Sequence, residues 1–377
     1  MGIKDLLKGI RDRNPDVFHR VSLSQFRGHT VAIDVSIYGY IYMAVSNKEA
    51  CQYIDILREE PSRPNLRSYW LERYFNFAMM FLESGITPIM VFDGKPFPRK
   101  KKTKAKREED KIERSKTIGD LREQIEQTYN EQLFTKLKSA MENQIVHETD
   151  DWDALETMFR TMGLPVIRGS GADYEAEAIC ARLLHSGYVS AVVTEDSDAL
   201  AHLSKIVIMD INRDKSDRAD HQCTCIFLDE VLETLRMTHL QFVDFCLMCG
   251  NDYIDRIRLI GFVKAMELIQ IHKNIENALI ALKKKKKDLH QYELSNLDIV
   301  REVRGYFLSK LDITLDNTPV VMYRDGLDNF FSEAFVGYNK QRMINKLPFV
   351  TNLLRQFNQN FATLQKFVLV VGEGINE

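Results

Sequence analysis

The sequence predicts an α/β fold built on an open β-sheet. Short apolar runs of strand length alternate along the chain with segments whose apolar residues recur every three or four positions, as on one face of a helix. The 45% hydrophobic and 28% charged residues are ordinary for a folded protein with a sizeable core, and no internal repeat is visible. At 377 residues the chain is long enough for one large domain or two modest ones.

The strands are predicted from apolar runs of four to six residues. In chain order these runs are HTVAI at 29–33, TPIMVF at 87–92, LPVIR at 164–168, VSAVVT at 189–194 and KIVIM at 205–209, with TCIFL at 224–228 strand-like as well.

The helices are predicted from apolar periodicity over 68–84 and 153–162, and in FVDFCLMC at 242–249. A further helix is predicted over 173–185, with Asp173 as its N-cap. From Lys95 to Gln144 the chain is strongly polar, lacks strand signals and continues as a long helical pattern of mixed charge.

Several protein classes are excluded at this stage. No apolar run approaches the ~18 residues that a transmembrane helix needs. The N-terminus MGIKDLLKGI lacks the apolar region of a signal peptide, and Leu6 breaks the myristoylation pattern. Six cysteines are too few for a disulfide scaffold and fit a reducing compartment. We therefore expect an intracellular protein with no membrane partner.

Charge is unevenly distributed along the chain. The 51 basic and 54 acidic residues give a formal charge of −3, which taken alone argues mildly against a nucleic-acid partner. However, the thirteen residues from Lys95 to Arg107 contain no acid and eight basic residues: Lys95, Arg99, Lys100, Lys101, Lys102, Lys104, Lys106 and Arg107. A second basic run, Lys283–Lys287, is better interpreted as a solvated helix end.

Carboxylates follow three of the predicted strands. Asp34 follows the first strand, Asp93 the second, and Asp196 and Asp198 the fourth. Ligands bind at the carboxyl edge of such sheets, and carboxylates gathered there repel one another unless a cation such as Mg²⁺ neutralises them. Any one of these residues taken alone is better explained as a turn former or a helix cap. Found on three strands together, they favour a metal site.

Three further acids extend this cluster. In the middle of a helix Glu175 and Glu177 would lie about 200° apart, but in a first turn capped by Asp173 both side chains can lean toward one site. Complementation of the helix dipole is the alternative, and it explains Glu175 better than Glu177. Gly250 is a natural C-cap for the helix before it, so Asp252 projects from a tight turn.

With these residues in place, the chain resembles the structure-specific 5′ nucleases of the flap endonuclease and xeroderma pigmentosum group G (XPG) type, most closely the flap endonucleases. The resemblance runs from Met1 to about His272, and more loosely to about Leu354. It rests on MGI at 1–3, VAIDVS at 31–36, VFDGKP at 91–96, YEAEA at 174–178, TEDSDAL at 194–200, GNDY at 250–253 and IRLIGFVKAMELI at 257–269.

The resemblance implies a PIN-like fold: a central, mostly parallel sheet flanked by helices, with a helical arch and a helix-two-turn-helix. The expected organisation is an N-terminal nuclease region (1–107), the arch (108–148), an internal nuclease region (149–254), the helix-two-turn-helix (255–275) and a C-terminal helical region (276–377) packed on the nuclease body.

The resemblance also implies a two-metal nuclease. One Mg²⁺ would be served by Asp34, Asp93, Glu175 and Glu177, and the second by Asp196, Asp198 and Asp252, with Mn²⁺ as a substitute. Such a pair of ions hydrolyses a phosphodiester and leaves a 5′-phosphate. The implied activity is that of a 5′ flap endonuclease and 5′→3′ exonuclease on DNA replication and repair intermediates. The alternatives are a related nuclease (a 5′ exonuclease, a Holliday-junction resolvase or, more distantly, an RNase on the same fold) and a non-catalytic junction-binding scaffold.

DNA-contacting residues follow from the same resemblance. Lys100 and Arg107 would contact the scissile phosphate, and Tyr40 would stack on the base beside it, unless Tyr40 is a core aromatic like its neighbours Tyr38 and Tyr42. Gly2 and Gly250 would lie at the DNA. In the helix-two-turn-helix, Lys264 would grip a duplex phosphate and the carbonyls of Ile257 and Ile260 would hold a K⁺.

Some features depart from the family pattern. The usual Gly-Ile-Gly-Pro turn is Leu259-Ile260-Gly261-Phe262, which weakens the prediction of the K⁺ site. Arg324 stands where a sliding-clamp peptide needs Gln, so Leu327, Phe330 and Phe331 are predicted to form a core helix and no clamp peptide is expected. We expect a monomer, nuclear by resemblance, or at a cytoplasmic replication site if its source is viral.

The cysteines offer a rival metal site. Cys223, Cys225, Cys246 and Cys249, with His221 nearby, have spacings compatible with zinc. Because these cysteines fall in helix-like or strand-like segments, burial as small hydrophobic residues is the favoured interpretation.

Overall fold

The structure, a computed structural model, describes residues 2–94, 97–144, 147–169, 175–212, 221–285, 291–309, 313–316, 326–361 and 368–371. Its α-helices are α1 (Leu6–Arg13), α2 (Val35–Ala50), α3 (Arg63–Glu83), α4 (Lys101–Gln127), α5 (Glu131–Glu142), α6 (Thr149–Thr161), α7 (Ala176–His185), α8 (Asp198–Ala201), α9 (Leu228–Leu235), α10 (His239–Cys249), α11 (Phe262–His272), α12 (Ile275–Lys285), α13 (Leu297–Leu308), α14 (Gly326–Ala334) and α15 (Gly337–Phe361). Its strands are β1 (Phe18–Ser22), β2 (Thr30–Asp34), β3 (Thr87–Phe92), β4 (Val166–Arg168), β5 (Ala191–Val193), β6 (Ile206–Met209), β7 (Gln222–Phe227), β8 (Ile313–Asp316) and β9 (Val368–Val371).

The central sheet has seven strands in the order β1-β7-β6-β5-β2-β3-β4. The run from β6 to β4 is parallel throughout, whereas β7 pairs antiparallel with both β6 and β1. The chain adds β3 and β4 on one side of β2 and then crosses to place β5 on the other side. The strand order therefore reverses beside β2, which is where ligands bind in sheets of this type.

Each predicted strand is present, and β3 has the predicted bounds. Asp34 is the last residue of β2 rather than the residue after it, and it lies opposite Val91 of β3. The edge strand β1 was not predicted because its sequence, FHRVS, has no apolar run; its side chains are half-buried or exposed, and its position depends on pairing with β7.

Helices cover both faces of the sheet, as predicted for this fold class. Side chains alternate along the strands. Ala32 and Val192 pack with Ile179 of α7 on one face, whereas Ile33 and Val193 pack with α2, α3 and α6 on the other. Because helices cover both faces of the sheet, its polar side chains converge at the ends of the strands.

The polar segment after β3 forms a helical cap. Helix α4 is continuous from Lys101 to Gln127, so the boundary predicted at residue 107 falls inside one helix. Helix α5 packs against α4 and against the segment after α2, with a small apolar core of its own that includes Ile118, Leu137 and Met141. The cap is thus a satellite unit attached to the body of the protein that surrounds the sheet.

The C-terminal helices pack on the body. Leu327 and Phe331 of α14 are 5% and 0% exposed, and the Phe331 ring lies 5.3 Å from that of Phe75 in α3. These two residues therefore form the core helix that was predicted in place of a clamp peptide; Arg324 lies outside the described residues. No helix in the described ranges is both long and apolar enough to cross a membrane.

Candidate metal centre and nucleic-acid surface

The carboxyl ends of β2, β3 and β5 meet at one cavity of about 370 Å³. Six of the seven predicted metal ligands line it: Asp34, Asp93, Glu175, Glu177, Asp196 and Asp252. The seventh, Asp198, is buried behind this lining. The structure thus brings together acids that are far apart in sequence.

Asp34 joins the sheet to the following helix. Its Oδ1 accepts hydrogen bonds from the backbone N–H groups of Ser36 and Ile37, and its Oδ2 accepts one at 2.9 Å from the hydroxyl of Thr194. Asp34 is therefore a helix cap that also lines the cavity, so its capping role does not exclude the predicted role as a metal ligand.

Asp93 orients the helix that carries the two glutamates. Its Oδ1 accepts a hydrogen bond of 2.8 Å from the backbone N–H of Ala176, the first residue of α7. Because α7 begins at Ala176, Glu175 rather than Asp173 is at the N-cap position, which corrects the predicted start of this helix. Asp173 lies outside the described residues.

Glu175 and Glu177 both face the cavity. The hydroxyl of Tyr253 donates to Glu175 and lies 3.3 Å from Glu177. The ammonium of Lys100 lies 3.0 Å from Glu175. Two glutamates at i and i+2 can meet here because Glu175 has extended backbone angles, φ −82° and ψ 153°, and only Glu177 belongs to the helix.

Asp196 and Asp198 follow β5 and pack against the N-terminus. The backbone N–H of Asp198 donates to Asp196 at 3.0 Å, and the backbone N–H of Ile3 donates to the hydroxyl of Ser197 at 2.9 Å. At Gly2, which has φ +88°, an added Cβ would lie 2.1 Å from Oδ1 of Asp196. This position accommodates only glycine because the backbone approaches the carboxylate so closely.

The turn after α10 presents Asp252. Gly250 is the C-cap, as predicted, with φ +85°, and an added Cβ there would lie 2.9 Å from the backbone nitrogen of Arg256. Oδ1 of Asn251 accepts from the N–H groups of Tyr253 and Ile254, which closes the turn. No local pattern in the sequence predicts this role for Asn251.

The buried acids strongly favour a cation. Burial raises the pKa of Asp34 to about 8, and the neighbouring charges of Asp93 and Asp196 contribute to this increase. Burial also raises the pKa of Glu177, although the Lys100 ammonium opposes that shift. The pKa of Asp198 rises well above its usual value because of burial and the nearby charges of Asp196 and Asp252.

The donor set fits a hard divalent ion. Every candidate ligand atom is a carboxylate oxygen, and Oδ1 of Asp198 is buried with no hydrogen-bond partner in the described part of the chain. Within the described residues, however, no three carboxylate, imidazole or thiol groups are arranged as a ready coordination shell. An ion bound here would therefore require these side chains to rotate, with Glu175 released by Lys100.

Aromatic side chains form the opposite wall of the cavity. Tyr40 is 39% exposed and lines the cavity, whereas Tyr38 and Tyr42 are buried, so Tyr40 is not a core residue. Its ring meets that of His147 edge-on at 5.2 Å, and Trp152 lies 5.1 Å behind His147. His147 and Trp152 were not anticipated because they lie in a polar stretch remote from Tyr40 in sequence.

The basic segment passes over the acidic edge. Lys100 lines the cavity at the last residue of a short 3₁₀ turn, Pro98–Lys100, and its side chain is largely buried. Burial alone would lower the pKa of Lys100, but the carboxylates of Glu177, Glu175 and Asp93 outweigh it and raise that pKa. Arg107 lies on α4, and its side chain is outside the described part of the structure.

The segment predicted to be a helix-two-turn-helix, residues 255–275, follows α10 and contains α11. The N–H of Ile260 donates to the carbonyl of Ile257 at 3.0 Å, and Lys264 is exposed in the first turn of α11. Leu259 has φ +69° and is 77% exposed. A backbone with positive φ favours glycine, which explains why glycine is the usual residue at the position that Leu259 occupies in this chain.

The four cysteines proposed for zinc are buried in secondary structure. Cys223 and Cys225 lie in β7, and Cys246 and Cys249 lie in α10, all with free thiols. Burial raises the pKa of Cys225 to about 12. Their environment agrees with the interpretation as small hydrophobic residues.

Two segments match family models. Residues 1–114 match the XPG N-terminal domain and residues 164–252 match the XPG I-region. Flap endonuclease 1-2 of Paramecium tetraurelia is 31% identical over 373 residues, covering 92% of this chain and 88% of that protein. Flap endonuclease 1 of Leishmania major is 33% identical over 344 residues, covering 88% and 77%.

Solved structures share the fold. The flap endonuclease-1 from Methanococcus jannaschii superposes with a TM-score of 0.57 at 21% identity, covering 90% of this chain and 98% of that one. The catalytic core of Rad2 in complex with DNA substrate has a TM-score of 0.59 at 17% identity, covering 93% and 100%. The matched segments carry all seven clustered acids, and the chain belongs to the flap endonuclease and XPG family of nucleases.

Proposed function

We propose that the protein is a Mg²⁺-dependent 5′ flap endonuclease and 5′→3′ exonuclease that hydrolyses DNA phosphodiesters at junctions between single-stranded and duplex DNA in replication and repair. The observation that carries this proposal is the convergence of seven acids beside one cavity, with Lys100 over them. Membership of a family of divalent-metal-dependent nucleases supports it.

The acids divide into two groups by position. Asp34, Asp93, Glu175 and Glu177 would hold one ion, and Asp196, Asp198 and Asp252 the other. When bound, the two ions supply Lewis-acid chemistry that activates water and stabilises the leaving oxygen. The protein holds these carboxylates in place through Thr194, Tyr253 and the first N–H of α7.

The remaining cavity residues would bind the DNA strand that is cut. Lys100 and Arg107 would neutralise charge that develops on the scissile phosphate, and the exposed face of Tyr40 would stack on the neighbouring base. Gly2 and Gly250 would permit close approach of the chain to this site, since neither position accepts a side chain.

The duplex would be held beside α11. Lys264 is exposed in the first turn of this helix, where backbone N–H groups favour a phosphate. The carbonyls of Ile257 and Ile260 would hold a K⁺; the carbonyl of Ile257 already accepts one hydrogen bond but retains a second lone pair.

One chain supplies every proposed ligand, which supports a monomeric enzyme. Its DNA substrate supports an intracellular site of action: the nucleus, or a cytoplasmic replication site if the source is viral.

Cleavage of labelled 5′-flap, nicked, gapped and four-way DNA, in Mg²⁺ or in EDTA, tests this proposal. We expect Mg²⁺-dependent incision near the flap junction that falls by at least about 100-fold in Asp196→Ala while DNA binding persists. The control is Asp229→Ala, which removes an exposed acid in α9. Preferential cleavage of four-way DNA would instead indicate a junction resolvase, and binding without cleavage of any substrate would indicate a scaffold.

A further inference from the structure

The turn that carries Lys100 is attached to the C-terminal helix α13. Nε of Arg99 lies 2.6 Å from Oε2 of Glu302, and the ring of Phe97 packs against that of Tyr306 in a tilted arrangement, with 4.5 Å between centroids and an interplanar angle of 31°. Glu302 and Tyr306 are four residues apart and therefore share one face of α13. Two contacts thus fix the residues on either side of Pro98 to one helix face.

Tyr306 also reaches the acidic cluster. Its hydroxyl lies 3.3 Å from Oε2 of Glu175, the same oxygen that accepts from Tyr253 and from Lys100. Tyr306 is 5% exposed, and its ring packs edge-on against His202 at 5.1 Å. The ring of Tyr306 is therefore packed against His202, and its hydroxyl contacts the Glu175 carboxylate.

Packing alone does not account for a tyrosine at this position. The next residue, Phe307, is buried in the same aromatic cluster without a hydroxyl, so the ring contacts of this cluster do not themselves require one. Burial of a phenol costs stability unless it is hydrogen-bonded, and here its partners are Tyr253 and Glu175, a proposed metal ligand. Hydrogen bonds to such ligands fix their orientation and tune their metal affinity.

We propose that α13 positions the nuclease site from outside the matched family segments, which end at residue 252. Tyr306 orients Glu175 for metal binding, and Glu302 holds the Arg99 turn so that Lys100 stays over the carboxylates. Both are positioning residues, because each acts through another side chain. The inference rests on the proposed function.

The first test removes only the phenol. In Tyr306→Phe we expect kcat on flap DNA and the affinity for Mn²⁺, measured without DNA from the electron paramagnetic resonance of free Mn²⁺, each to fall about tenfold. The Kd for flap DNA and the Tm should not change, since the packing of the ring is retained. Tyr292→Phe is the matched control because this tyrosine lies at the edge of the core away from the cavity. Unchanged Mn²⁺ affinity in Tyr306→Phe would overturn this part of the inference.

The second test is a charge-reversal cycle. Arg99→Glu and Glu302→Arg should each lower kcat by about fivefold, and the double variant should recover to within about twofold of the wild type. Arg301→Glu, on the same helix but paired with Asp298, should have no effect. Losses that multiply in the double variant would show that the pair does not position the turn.

Activity of the wild-type protein distinguishes failure of the proposed function from failure of the proposed role of α13. If it cuts flap DNA while all variants match it, only the role of α13 fails. If it cuts no substrate but Tyr306→Phe still weakens Mn²⁺ binding, the proposed function fails and the positioning of Glu175 by Tyr306 stands.

Discussion

Nζ of Lys100 lies 3.0 Å from Oε2 of Glu175 and 3.9 Å from Oε1 of Glu177. One ammonium therefore partly neutralises two buried carboxylates at the position where divalent ions are proposed to bind. Without metal, the Lys100 ammonium stabilises the buried carboxylates. Once divalent ions bind these carboxylates, the same ammonium would be free to contact the scissile phosphate.

Removal of this ammonium should have a metal-dependent effect. In EDTA, Lys100→Ala should lower the free energy of unfolding by up to about 3 kcal/mol, because buried carboxylates lose their partner. In Mg²⁺ the deficit should shrink, while kcat on flap DNA falls more than the affinity for DNA. Denaturant titrations with and without Mg²⁺, together with single-turnover kinetics, measure these effects.

Lys284→Ala is the control for this variant, since Lys284 is an exposed cation at the end of α12. An equal loss of stability in EDTA and in Mg²⁺ would contradict the interpretation of Lys100 as a substitute for the metal charge.

Gly2 should be intolerant of any side chain. The Cβ of Gly2→Ala would lie 2.1 Å from Oδ1 of Asp196 and 2.4 Å from the hydroxyl oxygen of Ser197, so this carboxylate must move. We expect kcat to fall at least about tenfold, since ligand placement is sensitive to small shifts. Gly28→Ala is the matched control: φ at Gly28 is +80°, but nothing lies within 4 Å of the added Cβ. If both variants lose activity equally, backbone strain rather than the clash is responsible.

The aromatic wall should contribute to DNA binding through Tyr40. Loss of stacking in Tyr40→Ala should weaken the transition-state complex by about 1–3 kcal/mol, seen in kcat/KM for flap DNA. Tyr40→Phe should retain nearly full activity, because stacking needs the ring and not the hydroxyl. Tyr53→Ala removes a tyrosine that is 73% exposed and outside the cavity, and should have no effect. Equal losses in Tyr40→Phe and Tyr40→Ala would argue against stacking.

The strands and their terminal acids could be predicted because both signals are local. TPIMVF is a continuous apolar run, and Asp93 follows it directly, so periodicity and position suffice. The same logic failed for β1, since an edge strand with polar side chains has no such run and is specified by its partner β7.

The surroundings of the acids depend on long-range contacts. Asp173 is a plausible N-cap by local pattern, but the first N–H of α7 is satisfied by Asp93, 83 residues earlier. Tyr306 reaches Glu175 across 131 residues, and no periodicity in either segment indicates this contact. A single sequence shows which residues can cap or ligate; tertiary packing selects the partners.

His147, on the aromatic wall, should make stability depend on pH. Burial lowers the pKa of His147 from 6.5 to about 4; Arg63 adds to this shift and Asp151 opposes it. Between these pH values the unfolded chain binds the proton more readily, so the contribution of neutral His147 is complete above pH 6.5 and is lost as the pH falls toward 4. Because this side chain is only partly screened from solvent, we expect the loss to be on the order of 2 kcal/mol.

The difference between the wild type and His147→Phe isolates this contribution. His202, whose pKa burial lowers to about 3, titrates in the same direction in both proteins and cancels. Urea titrations in EDTA from about pH 4 to 7 should therefore show the wild type losing stability relative to His147→Phe on acidification, because phenylalanine keeps the contacts with Tyr40 and Trp152 but binds no proton. A difference that stays constant over this range would show that the imidazole titrates normally in the folded protein and that the wall around it admits water freely.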